Sequence, residues 1–520
     1  MSGTASTSKW KFRLRKGVLF FLLLTPLWSY LAWLAKPSTT LKVVMLDKTA
    51  QDFSNIEHRA FTWVLNHAKY VKEDGGQYNQ RIDYLGYFPS PENLLISNDL
   101  KDSSPQLIDS IADYIDVGYF IDTYGSYYED WRDRMVDIPK RGKIYGGLES
   151  EDISLMQSLM DRKKLVLAEF SIFGSPTPEL IRTRAEDLLG IHFTGWVGRY
   201  YEELDTALNT ELPDWIPELY TRQFNEPYTL SGPGVGFFNE DGRILILPSS
   251  EMVHPVPIIE TEEVLAESIG VDAFIRYPFW FEIGQIDTSA RIVSQYRIYA
   301  NPVGASKMRA LGIPQSFPAV IAKPDWRTIY MAGDFTDNPI AVYTSHFEGS
   351  ECLSPLWYDN KNLGDRRKFF WDYYQPFMEG TLARYHEELL GNRTTHLSLP
   401  ERSSYRTTEK LLVNFNEPKV NWNSLPEPKS VGYMAAYIPE NDSIEVPETP
   451  ITAYLFLGSF PRAEDAHRFI ESREIPYAKV KLGNTSAQYD IVIPFYDLSL
   501  AKRYRQTIKN RYPQSGIIRP

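Results

Sequence analysis

Three acidic residues follow directly on three short apolar runs: Asp47 after LKVVML, Asp122 after DVGYFI and Glu169 after LVLA. Carboxyls at the ends of neighbouring strands can work as an acid–base pair on a glycosidic bond, provided that folding sets them a few ångströms apart. Asp122 and Glu169 are therefore the candidate catalytic residues. Asp47, Tyr124 and Asp334 are candidate ligand contacts beside them. Asp334 belongs to the loop Gly333–Asn338 (GDFTDN), whose residue types favour a turn and could also face a substrate or cation.

Other chemistries find little support. The eight histidines (58, 67, 192, 254, 346, 386, 396, 467) include no pair with zinc-motif spacing, and His386-Glu387-Glu388 lacks the second histidine of a zincin helix. No metal or cofactor is expected. No Gly-x-Ser-x-Gly elbow occurs. The run Gly232–Gly236 (GPGVG) precedes a strand instead of opening a helix, so it does not read as a phosphate loop. Cys352 is the one cysteine, which excludes an intrachain disulfide, and it reads as a small buried hydrophobe.

The elements that must position the acids follow from hydrophobic period. Leu41–Leu46, Asp116–Ile121 and Leu165–Ala168 are buried strands. Between and after them run helices: one opened by Ser54 and Glu57 at capping-box spacing with Phe61, Val64, Leu65 and Ala68 on a face, one with Ile153, Met156, Leu159 and Met160, and one begun by Thr177-Pro178. Alternating strands and helices predict right-handed crossovers and a parallel sheet, and such sheets bind ligands beyond the carboxyl ends of their strands. Further β-like runs are 243–247, 273–283, 291–300, 319–322 and 328–332, with a hairpin turn at Gly242. Asp365–Leu390 is a helix interrupted at Pro376.

Gly17–Ala35 (GVLFFLLLTPLWSYLAWLA) holds no charge and is long enough to span a bilayer. Lys9, Lys11, Arg13, Arg15 and Lys16 precede it, only Lys36 follows closely, and Trp28, Tyr30 and Trp33 sit toward its far end. The positive-inside bias predicts a single-pass inner-membrane anchor with a cytoplasmic tail (1–16), leaving the bulk of the chain periplasmic or otherwise extracytoplasmic. Six of the 55 basic residues and none of the 67 acidic ones precede Pro37, so the remainder carries about −18, which excludes nucleic acid as a partner. Residues 391–450, with seven prolines, form a linker. The last seventy residues, 451–520, alternate as β-α-β-β-α-β.

Two resemblances follow from these patterns. The order of pieces from Leu41 to Asn338 resembles the class I glutamine amidotransferase-like domain, a flavodoxin-like sheet. Its active members place a cysteine at a strand-to-helix turn, and here that turn reads Ala168-Glu169-Phe170-Ser171. The tail resembles the sporulation-related repeat (SPOR) domain through Leu455-Phe456-Leu457-Gly458-Ser459-Phe460, Ala463 and Ala466, and the pseudo-repeat Tyr489–Phe495. That resemblance implies binding of peptidoglycan, with Tyr454, Phe456 and Tyr489, or Ile491, as candidate contacts on the sheet. The expected architecture is thus α/β: a transmembrane helix (17–35), a parallel-sheet domain with β-rich additions (41–390) and a small α+β domain. Two functions follow: a non-catalytic envelope protein binding peptidoglycan or another glycan, or a carbohydrate-active hydrolase using the strand-end carboxylates. The missing cysteine and the missing metal motif favour the first.

Overall fold

A computed structural model of the chain describes Lys16, residues 24–49, 55–88, 97–127, 143–391 apart from 210 and 214, and parts of 453–518. The linker expected at 391–450 lies outside the described residues beyond Gly391, as do Ser54 and residues 17–23 of the apolar run.

The large sheet has ten strands. In chain order its members are β1 (Val43–Asp47), β2 (Leu85–Tyr87), β3 (Ser97–Asn98), β4 (Val117–Asp122) and β5 (Leu165–Glu169). After the intervening β6 (Ile191–Tyr201), β7 (Gly234–Asn239) and β8 (Ile244–Pro248) come β9 (Ile258–Thr261) and β10 (Phe274–Arg276). Then β11 (Phe281–Ile286) precedes β12 (Arg291–Arg297), β13 (Ser316–Ala322) and β14 (Thr328–Met331). The spatial order is β10-β9-β12-β13-β14-β5-β4-β1-β2-β3. The five strands β14, β5, β4, β1 and β2 are mutually parallel, while both flanks are antiparallel. The parallel expectation therefore holds for the half of the sheet that carries the acids. β4 and β5 are buried along their whole length, which explains their continuous apolar runs.

The parallel half is covered on both faces, because β1 crosses over to one side and β4 to the other. Helices α3 (Pro105–Tyr114), α4 (Ser150–Asp161) and α5 (Glu179–Leu189) pack side by side, whereas α2 (Arg59–His67) packs with α6 (Gln375–Leu389). Local chemistry sets their ends. The Ser104 hydroxyl accepts from the Leu107 amide ahead of Pro105, Glu149 and Asp152 form a capping box on α4, and Gly190 ends α5 at φ 81°. Every side chain from Ala60 to His67 is buried, so α2 is an interior helix and not the one-faced helix its pattern implied. Trp63, Tyr119, Tyr277, Tyr296, Tyr330, Tyr373 and Tyr374 are fully buried, and the high aromatic content goes largely to this core.

Several expectations are corrected. Glu57 lies in a 3₁₀ turn (Ile56–His58), and the helix proper begins at Arg59. Pro178, not Thr177, is the N-cap of α5, since the Thr177 hydroxyl is taken by the Ile172 carbonyl and the Leu148 amide. The run 273–283 is not one strand. It breaks around Pro278 into β10 and β11, which belong to different sheets. Pro376 stands in the first turn of α6, where it is tolerated, after a π-turn at Phe370–Tyr374. Cys352 is exposed, because it sits on a 3₁₀ segment (Ser350–Leu356) at the surface.

The second sheet, β8-β7-β6-β11, is antiparallel, with the β7–β8 hairpin turning at Gly242 (φ 84°) as expected. The tail forms a third sheet from β15 (Ala453–Phe460), β16 (Lys479–Leu482), β17 (Tyr489–Phe495) and β18 (Gly516–Ile518). Its order is β16-β17-β15-β18, all antiparallel, the arrangement that a β-α-β-β-α-β chain adopts when its helices share one face. Most of the two helices expected there lie outside the described residues. Among the described residues no helix is long and apolar enough to cross a membrane. The described part of the apolar run is helix α1 (Thr25–Ala35).

Candidate functional site

β1 and β4 are adjacent, in register at Asp47 and Asp122. They are also the strands from which the crossovers diverge to opposite sides, the switch point at which open α/β sheets take ligands. The sequence Asp47-Lys48-Thr49 knits the two acids together. Asp47 Oδ1 accepts from the Thr49 amide at 2.9 Å, and the Thr49 hydroxyl donates to Asp122 Oδ1 at 2.7 Å while accepting from the Gly125 amide. The Tyr124 amide donates to the same Asp122 oxygen at 2.8 Å. Asp47 Oδ2 meets His58 Nδ1, and that ring is held from behind by the Gln80 carbonyl. Between them Lys48 turns inward, fully buried, to pair with Asp152 at 2.7 Å at the start of α4.

Burial shapes the electrostatics. The Asp122 carboxyl is pushed up to about 7, by desolvation first and the neighbouring Asp47 charge second. Burial likewise raises Glu57, Glu169, Asp334 and Glu282 well above the carboxylate range. Glu169, one strand over, faces the interior. Its carboxyl accepts from Tyr119 at 2.7 Å and from the Thr336 hydroxyl and amide, and Tyr374 lies 3.4 Å from the Tyr119 oxygen. Asp334 is 8% exposed, and no donor reaches its carboxyl among the described residues. Tyr124 packs its ring on Tyr127 in a buried cluster with Phe170 and Trp280, so its contribution to Asp122 is its backbone amide.

The structure thus brings Asp47 and Asp122 into one hydrogen-bonded unit and sets Glu169 and Asp334 near it in separate, closed surroundings. His58 and Thr49 are members that the sequence pattern did not single out, while it placed Glu57 only in a capping box and Thr336 only within the loop Gly333–Asn338. For Thr49 the signal is the polar Asp-Lys-Thr run after an apolar strand. Among the described residues no group of three His, Cys, Asp or Glu is placed to hold a metal ion.

An open cleft of about 840 Å³ adjoins this buried cluster through Arg366. The Arg366 guanidinium donates to the Asp337 carbonyl at 2.6 Å and carboxylate at 3.0 Å, and lies 3.6 Å from the centre of the Phe279 ring. Arg199 lies over Tyr201, Phe279 and Trp280 at 5.1–5.4 Å and pairs with the exposed Glu211. Glu202, also on this wall, meets no donor among the described residues. Aromatic faces, guanidinium donors and carboxylate acceptors in one polar cleft are the groups that hold a sugar or another polyhydroxylated ligand.

On the tail sheet Tyr454 and Phe456 share the outer face, with the Lys481 ammonium 3.6 Å from the Tyr454 ring centre. Leu455, Leu457 and Ile491 are buried on the other side. Tyr489 packs against that core beside Phe460, so Tyr489 and Ile491 do not share the face of Tyr454 and Phe456.

No family model matches the chain, and no curated protein does. Among solved structures, homoserine dehydrogenase of S. aureus aligns over 92% of this chain and 98% of its own. The identity is 8% and the TM-score 0.18, which is too low for a shared fold.

Proposed function

We propose that the chain is a single-pass inner-membrane protein, N-terminus in the cytoplasm, whose extracytoplasmic α/β domain binds a glycan without turning it over. Its tail is a SPOR-like module that binds peptidoglycan. The observation that carries the non-catalytic reading is the closure of the strand-end acids. Asp47, Asp122 and Glu169 are all at most 8% exposed, each is hydrogen-bonded to the chain itself, and none of the three lines the open Arg199–Phe279–Arg366 cleft. A strand order in which β2, β1, β4, β5 and β14 lie side by side suits the amidotransferase-like resemblance, since flavodoxin-like sheets run second, first, third, fourth, fifth. The half-buried Tyr454–Phe456 pair, with Lys481 over the Tyr454 ring, suits a glycan-stacking face.

The hydrolase reading rests on one observation, the adjacency of Asp47 to an Asp122 held near neutrality. A single assay separates the two. Full-length protein in detergent is sedimented with cell-wall sacculi, with and without prior amidase treatment, and the supernatant is analysed for released sugar. Binding that strengthens on treated sacculi, falls with Tyr454→Ala/Phe456→Ala and releases no sugar is expected. Release of sugar that Asp122→Asn abolishes would establish the hydrolase. Failure of the folded protein to bind treated sacculi would remove the tail's assignment.

A further inference from the structure

Helix α1 is not held away from the body by a spacer. The Ser29 hydroxyl donates to the Glu348 carbonyl at 2.7 Å, the Glu348 amide donates back to Ser29, and Lys36 pairs with the Glu348 carboxylate at 3.2 Å. Trp33 is buried, its indole donating to the Asn66 carbonyl and its ring 4.5 Å from that of His346. The segment receiving the helix, residues 342–357, is itself pinned to α2. Trp63 donates to the Thr344 hydroxyl at 2.8 Å, and His67 bonds the Ser345 carbonyl at 2.9 Å.

What this junction leaves outside is apolar. On α1, Leu27, Trp28, Tyr30, Leu31 and Leu34 keep 41–53% of their surface exposed. On the receiving segment Leu356 is 77% exposed, Tyr343 70%, Leu353 42% and Trp357 40%. Of the segment's two acids, Glu348 pairs with Lys36, and Glu351 lies 3.7 Å from the His67 ring. An apolar surface continuous with a membrane-bound helix fits the boundary between headgroups and acyl chains.

We propose that residues 342–357 form a second membrane contact, with Tyr343, Leu353, Leu356 and Trp357 resting in the outer boundary of the same bilayer that the N-terminal run enters. The contact holds the α/β domain flat against the membrane while leaving the tail to reach outward. It rests on the anchor reading of Gly17–Ala35, and the test keeps the two apart.

Cys352, exposed in the middle of this segment, is the only cysteine, so a nitroxide attached to the full-length protein reports from one place. The protein is reconstituted in liposomes at two protein-to-lipid ratios, and collision with oxygen is compared with collision with a water-soluble nickel chelate. A label favouring oxygen at both ratios is expected, shifting to favour nickel in Leu353→Asp/Leu356→Asp. A Leu22→Cys label in a Cys352→Ser background reports on the anchor. If Leu22 lies in hydrocarbon while the Cys352 label favours nickel, the second contact is wrong and the anchor stands. If the Leu22 label is aqueous, the anchor itself fails and the contact with it. A Cys352 label shielded from both collision partners, or one that changes with protein density, means that protein covers the patch, which also overturns the proposal.

Discussion

Nδ1 of His58 lies 2.5 Å from Oδ2 of Asp47, and Nε2 of the same ring lies 2.5 Å from the carbonyl oxygen of Gln80. A carbonyl only accepts, so Nε2 carries a hydrogen, and the contact with Asp47 must hold a second proton between ring and carboxyl. Both groups are fully buried. Removing one partner strands the other in a medium that solvates it poorly. His58→Gln should therefore cost about 3–5 kcal/mol by denaturant titration, and Asp47→Asn less, because it also removes the charge. The double variant should lose less than the sum of the two, and strict additivity would show that the pair is not coupled.

Asp122 makes stability depend on pH in a defined direction. Its carboxyl is raised by burial and by Asp47 to about 7 in the fold, from an unfolded value near 3.8. Between those values the native state keeps a proton that the unfolded chain has lost. Its stabilising contribution is complete below the unfolded value and is lost as pH rises through about 7, at up to about 1.4 kcal/mol per pH unit. Asp122→Asn removes the titration and keeps an oxygen for Thr49 and Tyr124. Melting temperatures measured from pH 4.5 to 8 should fall less steeply in this variant, and at pH 8 it should melt no lower than the native protein. An unchanged slope would place the titration elsewhere.

Glu169 is expected to behave as a structural acid. Burial raises its carboxyl well above the ordinary value, and a glutamine reproduces its shape and most of its hydrogen bonds with Tyr119 and Thr336. Glu169→Gln should change stability by under about 1 kcal/mol and leave binding to sacculi intact. Glu169→Ala empties the site and orphans buried donors, at about 2–4 kcal/mol. Loss of a sugar-releasing activity in a stable Glu169→Gln would return this residue to the catalytic list.

Gly86 tests the architecture of the strand ends. It pairs with Asp47 across β1 and β2 at φ +142°, and a Cβ there would fall 1.6 Å from the Asp47 carbonyl oxygen. Neither the backbone conformation nor the contact admits a side chain. Gly86→Ala should displace the end of β1 and unfold the protein at temperatures where Gly75→Ala, at a positive φ with open space around it, leaves it folded. Equal melting temperatures for the two would show that β1 and β2 are not joined in this register.

The parallel strands β1, β4 and β5 were legible because a strand buried in the middle of a sheet is largely apolar, as LKVVML, DVGYFI and LVLA are, whereas β2 in its tyrosine- and glycine-rich surroundings was not. The acids at their ends were legible for the same reason, as the first polar residues after burial stops. The strands of the tail followed from its own alternation, and their order in the sheet came from the pairing. What the acids do was decided in three dimensions. Asp47 and Asp122 became one unit because β1 and β4 are neighbours at the switch point. Glu169 became a core residue because the chain brings Thr336, from 167 residues away, to its carboxyl. The run 273–283 split because a β-like pattern specifies extended backbone and not which sheet it joins, and Cys352 came to the surface because a 3₁₀ turn has no period by which to read an inside. The Arg199–Phe279–Arg366 cleft was invisible beforehand, since its walls are contributed by segments more than a hundred and sixty residues apart, and only packing brings cations and rings from such distances face to face.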